Sequence, residues 1–298
     1  MPGALPIGAL LEFFAAKGRE LPWRDPAAGA WAVLTSEIML QQTPVARVLA
    51  GYLDWMRRWP TPAALAAAAP GDAVRVWGRL GYPRRALRLH AAANAIKDHH
   101  DGMVPSEIDQ LLALPGVGEY TARAVAAFAF GARVPVVDTN VRRVLNRLVR
   151  GTDDAGSATA ADRRLMESLL PADPSTAALL SGAVMEFGAL VCTAARPRCD
   201  DCPVVSACRW TAAGRPASTV QRRRQAWAGT DRQVRGRIMA AVRQATGAVD
   251  LVALSRVWPD TGQWRRCLDS LLADGLLETA GDGQLALPGH GEPSRRRG

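Results

Sequence analysis

The chain is 298 residues long, 48% hydrophobic, and carries a net charge of +9 with a sequence pI of about 10.1. That length suits about two domains with real cores; its longest apolar stretches, 63–70 and 122–130, are too short to span a bilayer, and residues 1–14 lack the basic start of a signal peptide. No membrane association is expected, a reducing cytoplasm is, and the charge favours a polyanion, nucleic acid first, although charge alone fits a solvated basic surface equally well.

Helical spacing dominates the first two-thirds. Residues 31–59 carry apolar residues at helical intervals, interrupted near Gln41–Pro44. Within this stretch Glu37 sits among Val33, Leu34, Ile38 and Leu40. A carboxyl in such surroundings has its charged form disfavoured, which suits a general acid; a solvent-facing glutamate on an amphipathic helix is the commoner case. The polar break Gln41-Gln42-Thr43 is unusual for a packed helix and suits presentation of side chains to bases. Short helices are predicted over 63–69, 73–77, 84–96 and 107–112, separated by Gly and Pro, with Ser106 and Asp109 spaced as a capping box. Further helices are predicted over 120–130, 141–148, 165–170 and 177–191, and no stretch before Cys208 alternates well enough for a strand.

Between the helices at 107–112 and 120–130 stands Leu114-Pro115-Gly116-Val117-Gly118-Glu119-Tyr120-Thr121-Ala122. Glycines let the backbone approach a ligand, and the amides of the following helix start face outward. Phosphate is the natural anion for such a nest, so Gly116, Val117 and Gly118 are candidate DNA-binding residues in a helix-hairpin-helix. A GxG turn alone would be an ordinary helix–helix connection. An apolar run then delivers Asp138 to a helix start, where it is an N-cap or a functional carboxylate, with Asn140 to cap or orient the turn.

Cys192, Cys199, Cys202 and Cys208 are spaced C-x6-C-x2-C-x5-C. Such thiolates can close around one metal centre and make a poor disulfide framework in a chain without a secretion signal. Only Cys199 and Cys202 form a close pair, whereas structural zinc sites generally show two, so iron–sulfur is preferred to zinc. Cys267 lies in a predicted helix and reads as core. From 211 to 228 the composition is that of a linker, including Arg222-Arg223-Arg224. Helices over 235–245, 251–258 and 263–274 and a hairpin over 275–287, turning at Gly281-Asp282-Gly283, follow in winged-helix order; the tail 289–298 is expected to be disordered.

Together these strings resemble the helix-hairpin-helix DNA glycosylases with an iron–sulfur cluster, over about residues 21–210. Leu21-Pro22-Trp23-Arg24, Ser36–Thr43, Gly78-Arg79-Leu80-Gly81-Tyr82 and Glu186–Cys192 are similar to the MutY type within that family. The resemblance implies excision of adenine mispaired with 8-oxoguanine or G in double-stranded DNA. It implies Glu37 as proton donor, Asp138 as the carboxylate facing the oxocarbenium-like sugar, and Tyr120 and Asn140 beside them. Gln42 and Tyr82 would fill or wedge the duplex, and Trp23, Arg24 and Glu186 would lie in or near the pocket of the flipped base; Trp23 fits core packing nearly as well. Gln41 and Thr43 would contact DNA, and the four cysteines would hold a [4Fe–4S] cluster. Bifunctional relatives carry a lysine where this chain has Tyr120, so a monofunctional enzyme is expected.

Two departures stand out. Thr139 replaces the usual glycine between Asp138 and Asn140, and about seventy winged-helix-like residues stand in place of the long C-terminal reader domain of many such enzymes. That segment could bind DNA or a replication or repair partner, or pack on the core. A bifunctional glycosylase/lyase and a non-catalytic cluster-bearing DNA-binding regulator are the rival readings. The expected architecture is an all-α, two-lobed helix-hairpin-helix glycosylase fold with a small α+β end, acting as a monomer. The expected division is an N-terminal helix segment 1–27 packing with the cluster lobe, a helical lobe 28–134, a cluster lobe 135–210, a linker 211–228 and a winged-helix-like domain 229–288. Glu37, Asp138 and the hairpin are expected to meet in the cleft between the lobes.

Overall fold

A computed structural model of the chain describes residues 4–154, 156–218, 227–281 and 283–291. Contacts divide it into two bodies. One takes the chain up to Leu34, Ser106–Leu112 and the stretch from Val117 through the cysteine loop; the other takes Thr35–Pro105, Ala113–Gly116 and the C-terminal segment. No helix among the described residues is long and apolar enough to cross a membrane.

The first body is built on α1 (Ile7–Lys17), α8 (Glu119–Phe130), α9 (Thr139–Leu145), α10 (Ala160–Leu169) and α11 (Pro174–Leu190). Their starts follow from their caps. Asp138 accepts from the Val141 amide, Thr159 and Asp162 form a reciprocal capping box, and Asp173 caps α11 ahead of Pro174. Leu10, Val141, Val144, Leu180, Val184 and Phe187 bury their side chains together, and Phe13 meets Phe187 edge-on at 5.5 Å. After α9 the helix widens into a π turn over Asn146–Arg150. Gly188 is required where α11 passes α9, because a Cβ there would lie 2.9 Å from Asn140 Cβ.

The N-terminal arm is tied to α11 by charge. Glu186, whose side chain is 1% exposed, accepts from Arg19 Nε (2.6 Å), Arg19 Nη2 (2.8 Å) and Arg24 Nη2 (2.9 Å). Burial pushes this carboxyl up, but the bonds from Arg19 and Arg24 outweigh it and hold Glu186 at about 2.

In the second body α3 (Val45–Arg58), α4 (Pro62–Ala66), α5 (Pro70–Trp77) and α6 (Arg84–His99) surround Trp55, which packs edge-on against Trp59 (4.6 Å) and Trp77 (5.5 Å). Its C-terminal part packs α13 (Asp231–Gln244) on α15 (Thr261–Ala273), with α14 (Leu251–Ser255) between them in sequence. An antiparallel sheet of order β1-β3-β2 follows, from β1 (Val249–Asp250), β2 (Glu278–Thr279) and β3 (Gln284–Ala286), in the register Val249↔Leu285 and Glu278↔Ala286. This segment is packed on α5 and α6. Arg75 Nη1 donates to the Arg243 and Ala245 carbonyls (both 2.6 Å), Arg84 pairs with Asp274 (3.2 Å), and the Gly71 amide donates to Pro288 (2.7 Å).

A single buried arginine organises this body. The Arg85 guanidinium donates to the carbonyls of Ile38 (3.0 Å), Met39 (2.7 Å) and Gln41 (2.5 Å), which are the open C-terminal carbonyls of α2 (Gly29–Leu40) and the residue beyond. It also reaches Thr43 Oγ1 (2.8 Å) and the Leu80 and Gly81 carbonyls (3.3 and 2.9 Å). Burial pulls this guanidinium down to about 10.

The contacts group the chain as follows. The stretch 28–134 falls in both bodies: Ala124 and Ala127 of α8, with Val136 beyond it, pack against Ala178 and Met185 of α11. The winged-helix-like segment shares a body with α3–α6. Residues 289–291 are packed, with the Gly291 amide donating to Glu278 (2.5 Å); residues 292–298 lie outside the described residues, as do 219–226 of the expected linker and Asp282 of the expected turn. Ser106 donates to Glu107 (3.3 Å) at the start of α7 (Ile108–Ala113).

Glu186 supplies stability that is complete above about pH 4.5 and lost as the pH falls towards about 2, because its carboxyl titrates lower folded than unfolded. Glu186→Gln is expected to cost about 2–4 kcal/mol at neutral pH, less than a fully buried pair since Arg19 is 35% exposed, and to flatten that acid loss; urea unfolding across pH checks both. Arg85→Lys keeps a charge but loses the planar fork. It is expected to cost about 1–3 kcal/mol and to speed amide exchange at 41–43 and 80–82 ahead of α3, read by hydrogen exchange.

Candidate active site and metal centre

Asp138 is set by α9. Its Oδ1 accepts from the Val141 amide and its Oδ2 from Asn140 Nδ2, both at 2.7 Å. One oxygen thus caps the helix and the other is oriented by Asn140. Burial pushes its pKa up, opposed by the bonds from Val141 and Asn140 and by the Arg143 charge. Thr139 opens α9 with ordinary helical backbone, so the turn does not need the glycine it replaces.

Asn140 is itself held. Arg143 Nη2 donates to Asn140 Oδ1 (2.8 Å) and to the Gly188 carbonyl (2.6 Å), and Arg143 Nε donates to the Cys192 carbonyl (2.7 Å). A hydrogen-bonded path thus runs from the cysteine loop to Asp138. Arg147 adds a second tie. It donates to Cys192 Sγ (3.5 Å), to the Thr193 carbonyl (2.7 Å) and to Asp153 (2.8 Å), and its guanidinium lies 4.6 Å from the Trp210 ring.

Cys192, Cys199, Cys202 and Cys208 line one apolar cavity with Val144, Phe187 and Val204, and all remain free thiols. Among the described residues no three ligating side chains converge closely enough for a single ion. Burial pushes Cys192 up, against Arg147, and Cys202 up to about 11, so bound metal would have to draw these thiols into thiolates.

Glu37 lies on α2, a helix buried on all sides from Trp31 to Met39, and is 5% exposed. Beyond it, Arg85 fixes the loops that carry Gln42 and Tyr82. Both residues adopt left-handed backbone, at φ 56° and 48°, and Tyr82 is 40% exposed. Strain in two side-chain-bearing residues on adjoining loops marks a place where side-chain direction matters more than backbone comfort. Thr43 is buried and donates to the Leu80 carbonyl (3.1 Å), which makes it part of this support; Gln41 Nε2 donates to the Gly116 carbonyl (3.3 Å), tying the same loop to the hairpin.

In the hairpin, Gly116 takes φ 83° and an added Cβ would strike Arg88 at 2.7 Å. Gly118 opens α8 with nothing within 4 Å of where its Cβ would stand, leaving the helix start accessible to an anion. Val117 is buried between them, and the Tyr120 hydroxyl lies 3.9 Å from Met185 Sδ. Trp23 is 7% exposed and packed. The structure joins Arg24, with Arg19, to Glu186, which is committed to these two arginines, so it positions the arm and offers no exposed carboxylate. Arg85, Arg143 and Arg147 were not singled out by the sequence; nothing local marks them, since each acts on carbonyls far along the chain.

A model of the HhH-GPD superfamily base excision DNA repair proteins matches residues 35–171. The chain is 54% identical over 287 residues to the adenine DNA glycosylase of Mycolicibacterium smegmatis, covering 96% of this chain and 97% of that one. It is 53% identical over 285 residues to the adenine DNA glycosylase of Mycobacterium tuberculosis, covering 95% and 93%. A solved trapped endonuclease III–DNA covalent intermediate superposes with a TM-score of 0.59 at 25% identity, over 70% of this chain and 94% of that one. With the all-α helix-hairpin-helix fold and these relatives, the chain belongs to the adenine DNA glycosylase family of the HhH-GPD superfamily.

Proposed function

We propose that the chain is a monofunctional adenine DNA glycosylase of base excision repair, acting as a monomer on double-stranded DNA in the cytoplasm and hydrolysing the N-glycosidic bond of adenine mispaired with 8-oxoguanine or G. The observation that carries the reading is Asp138, a half-buried carboxylate with one oxygen on a helix cap and the other on Asn140. Such a group can face a cationic sugar without rotating away. Glu37 protonates the departing adenine and then activates water; the two carboxyls divide the work by environment. Tyr120 stands beside the reacting sugar and has no amine for a Schiff base, so strand scission is left to other enzymes. Gln42 and Tyr82 enter the opened duplex, the amides after Gly118 hold phosphate, and Gln41 and Thr43 brace the inserted loop. Trp23, Arg24 and Glu186 shape the pocket side of the N-terminal arm.

Cys192, Cys199, Cys202 and Cys208 hold a [4Fe–4S] cluster. When bound, it supplies four thiolate bonds that fix the loop carrying Arg196, Arg198 and Arg209. The protein as purified is expected to carry about four iron atoms per chain, and Cys202→Ser to lose most of that iron on metal analysis.

The test is single-turnover excision from duplexes with A opposite 8-oxoguanine, G, C or T, scored with and without alkali. Alkali-dependent cleavage opposite 8-oxoguanine and G is expected; adenine release from none of the duplexes overturns the reading. Asp138→Asn and Glu37→Gln are expected to lose roughly 10²–10⁴-fold in rate while retaining DNA binding. The ionised form of Asp138 is the active one, and Asn140 helps to hold it ionised against burial. Asn140→Ala is therefore expected to move the acid limb of the rate profile to higher pH, and an unmoved limb would remove Asn140 from this role.

A further inference from the structure

Tyr82 has a second cationic neighbour besides Arg85. The Arg232 guanidinium, at the start of α13, lies 4.7 Å from the Tyr82 ring and 5.3 Å from the Trp227 ring. Arg232 therefore bridges two exposed aromatic side chains, with Trp227 53% and Tyr82 40% exposed. Among the described residues no carboxylate pairs with it. The Trp227 end is fixed by a turn. The Thr230 amide and hydroxyl donate to the Trp227 carbonyl (3.3 and 2.8 Å), the Gly229 amide donates to Gln233 Oε1 (2.8 Å), and Gln263 Nε2 donates to the Gly229 carbonyl (2.9 Å). All of these residues belong to one body, and the Arg75 and Arg84 contacts hold α13 and α15 against α5 and α6.

An exposed row of aromatic, guanidinium and aromatic groups has a specific chemistry. Flat π faces with a delocalised cation between them match a nucleobase, whose faces stack on aromatic rings and on guanidinium planes. We infer that Trp227 and Arg232 form, with Tyr82, a stacking subsite for a nucleobase that loses its neighbour when Tyr82 enters the duplex. The C-terminal segment is then part of the DNA-binding surface. The inference rests on the proposed action at a mispair, since the wedge is what unstacks the base.

The test uses the full chain and the variants Trp227→Ala, Arg232→Ala and Arg232→Lys. All three alter exposed side chains, and thermal unfolding confirms that the fold is kept. The probe is a duplex with a non-hydrolysable adenosine analogue opposite G and 2-aminopurine as the neighbouring base. Each alanine variant is expected to weaken binding about ten- to a hundredfold and to raise the 2-aminopurine fluorescence of the complex above the parent's, because stacking on Trp227 and Arg232 quenches it. Arg232→Lys restores the charge without the plane and is expected to recover only part of either signal. Excision at saturating enzyme stays within about threefold of the parent, because the subsite holds DNA and does not touch the scissile bond. Binding and fluorescence unchanged in Trp227→Ala would overturn the inference. It would also fall if Arg232→Lys recovered both signals fully and Arg232→Ala only lowered the salt slope by about 0.9, since that is a phosphate contact alone. Absence of adenine release by the parent protein would defeat the proposed function, whereas the binding and fluorescence differences read the subsite separately.

Discussion

Much of this protein is arranged around carbonyl oxygens that a helix leaves unbonded, and Arg85 is the clearest case. A helix end inside a protein must have its last carbonyls satisfied or lose stability. Here one guanidinium collects them and, with the same fork, collects the carbonyls of a second loop. The loops at 41–43 and 80–82 are therefore not independent. Their strained residues, Gln42 and Tyr82, are held out by a common support whose donors are rigidly spaced. No carboxylate is needed, because the partial charges of several carbonyls stand in for one. The burial that pulls Arg85 down to about 10 is the energetic cost of that arrangement.

The same device recurs in the other body. Arg143 and Arg147 each spend donors on main-chain carbonyls of the segment 188–194, and Arg143 spends another on Asn140. Arginine predominates over lysine in the composition, where lysine occurs only at 17 and 97. Composition bias could account for the exposed arginines, but not for this use of the buried ones. An ammonium group in place of Arg143 could not reach Asn140, Gly188 and Cys192 with fixed geometry.

What the sequence disclosed was whatever is local. The hairpin string, the cysteine spacing and the helix over 120–130 depend on neighbours within a few residues, and each is legible because turn glycines and ligand spacings are written contiguously. Asp138 was legible as a cap or a functional group, and the structure shows the cap. Glu186 was read through resemblance as a pocket residue, whereas its partner Arg19 lies 167 residues away and no spacing rule reaches that far. The division into bodies was hidden for a related reason. Whether α8 joins the segment before it or after it is decided by Ala124 and Ala127 packing near Met185, and small apolar residues look alike from either side. The tail at 289–291 looks like loop by composition but is retained through main-chain bonds, which composition does not encode.

The π turn at Asn146–Arg150 makes α9 and its extension a two-sided rack. On one side Arg142, Asn146 and Arg150 engage Asp162 and the Asp154 carbonyl; on the other Arg143 and Arg147 engage the segment after Gly188. A π turn carries one residue more than the α-helical repeat allows, so it sets the phase of everything beyond it. Each residue of helix advances the phase by about 100°. Loss or gain of a single residue here would rotate both rows of side chains away from their partners at once. The segment can thus drift in side-chain identity far more readily than in length.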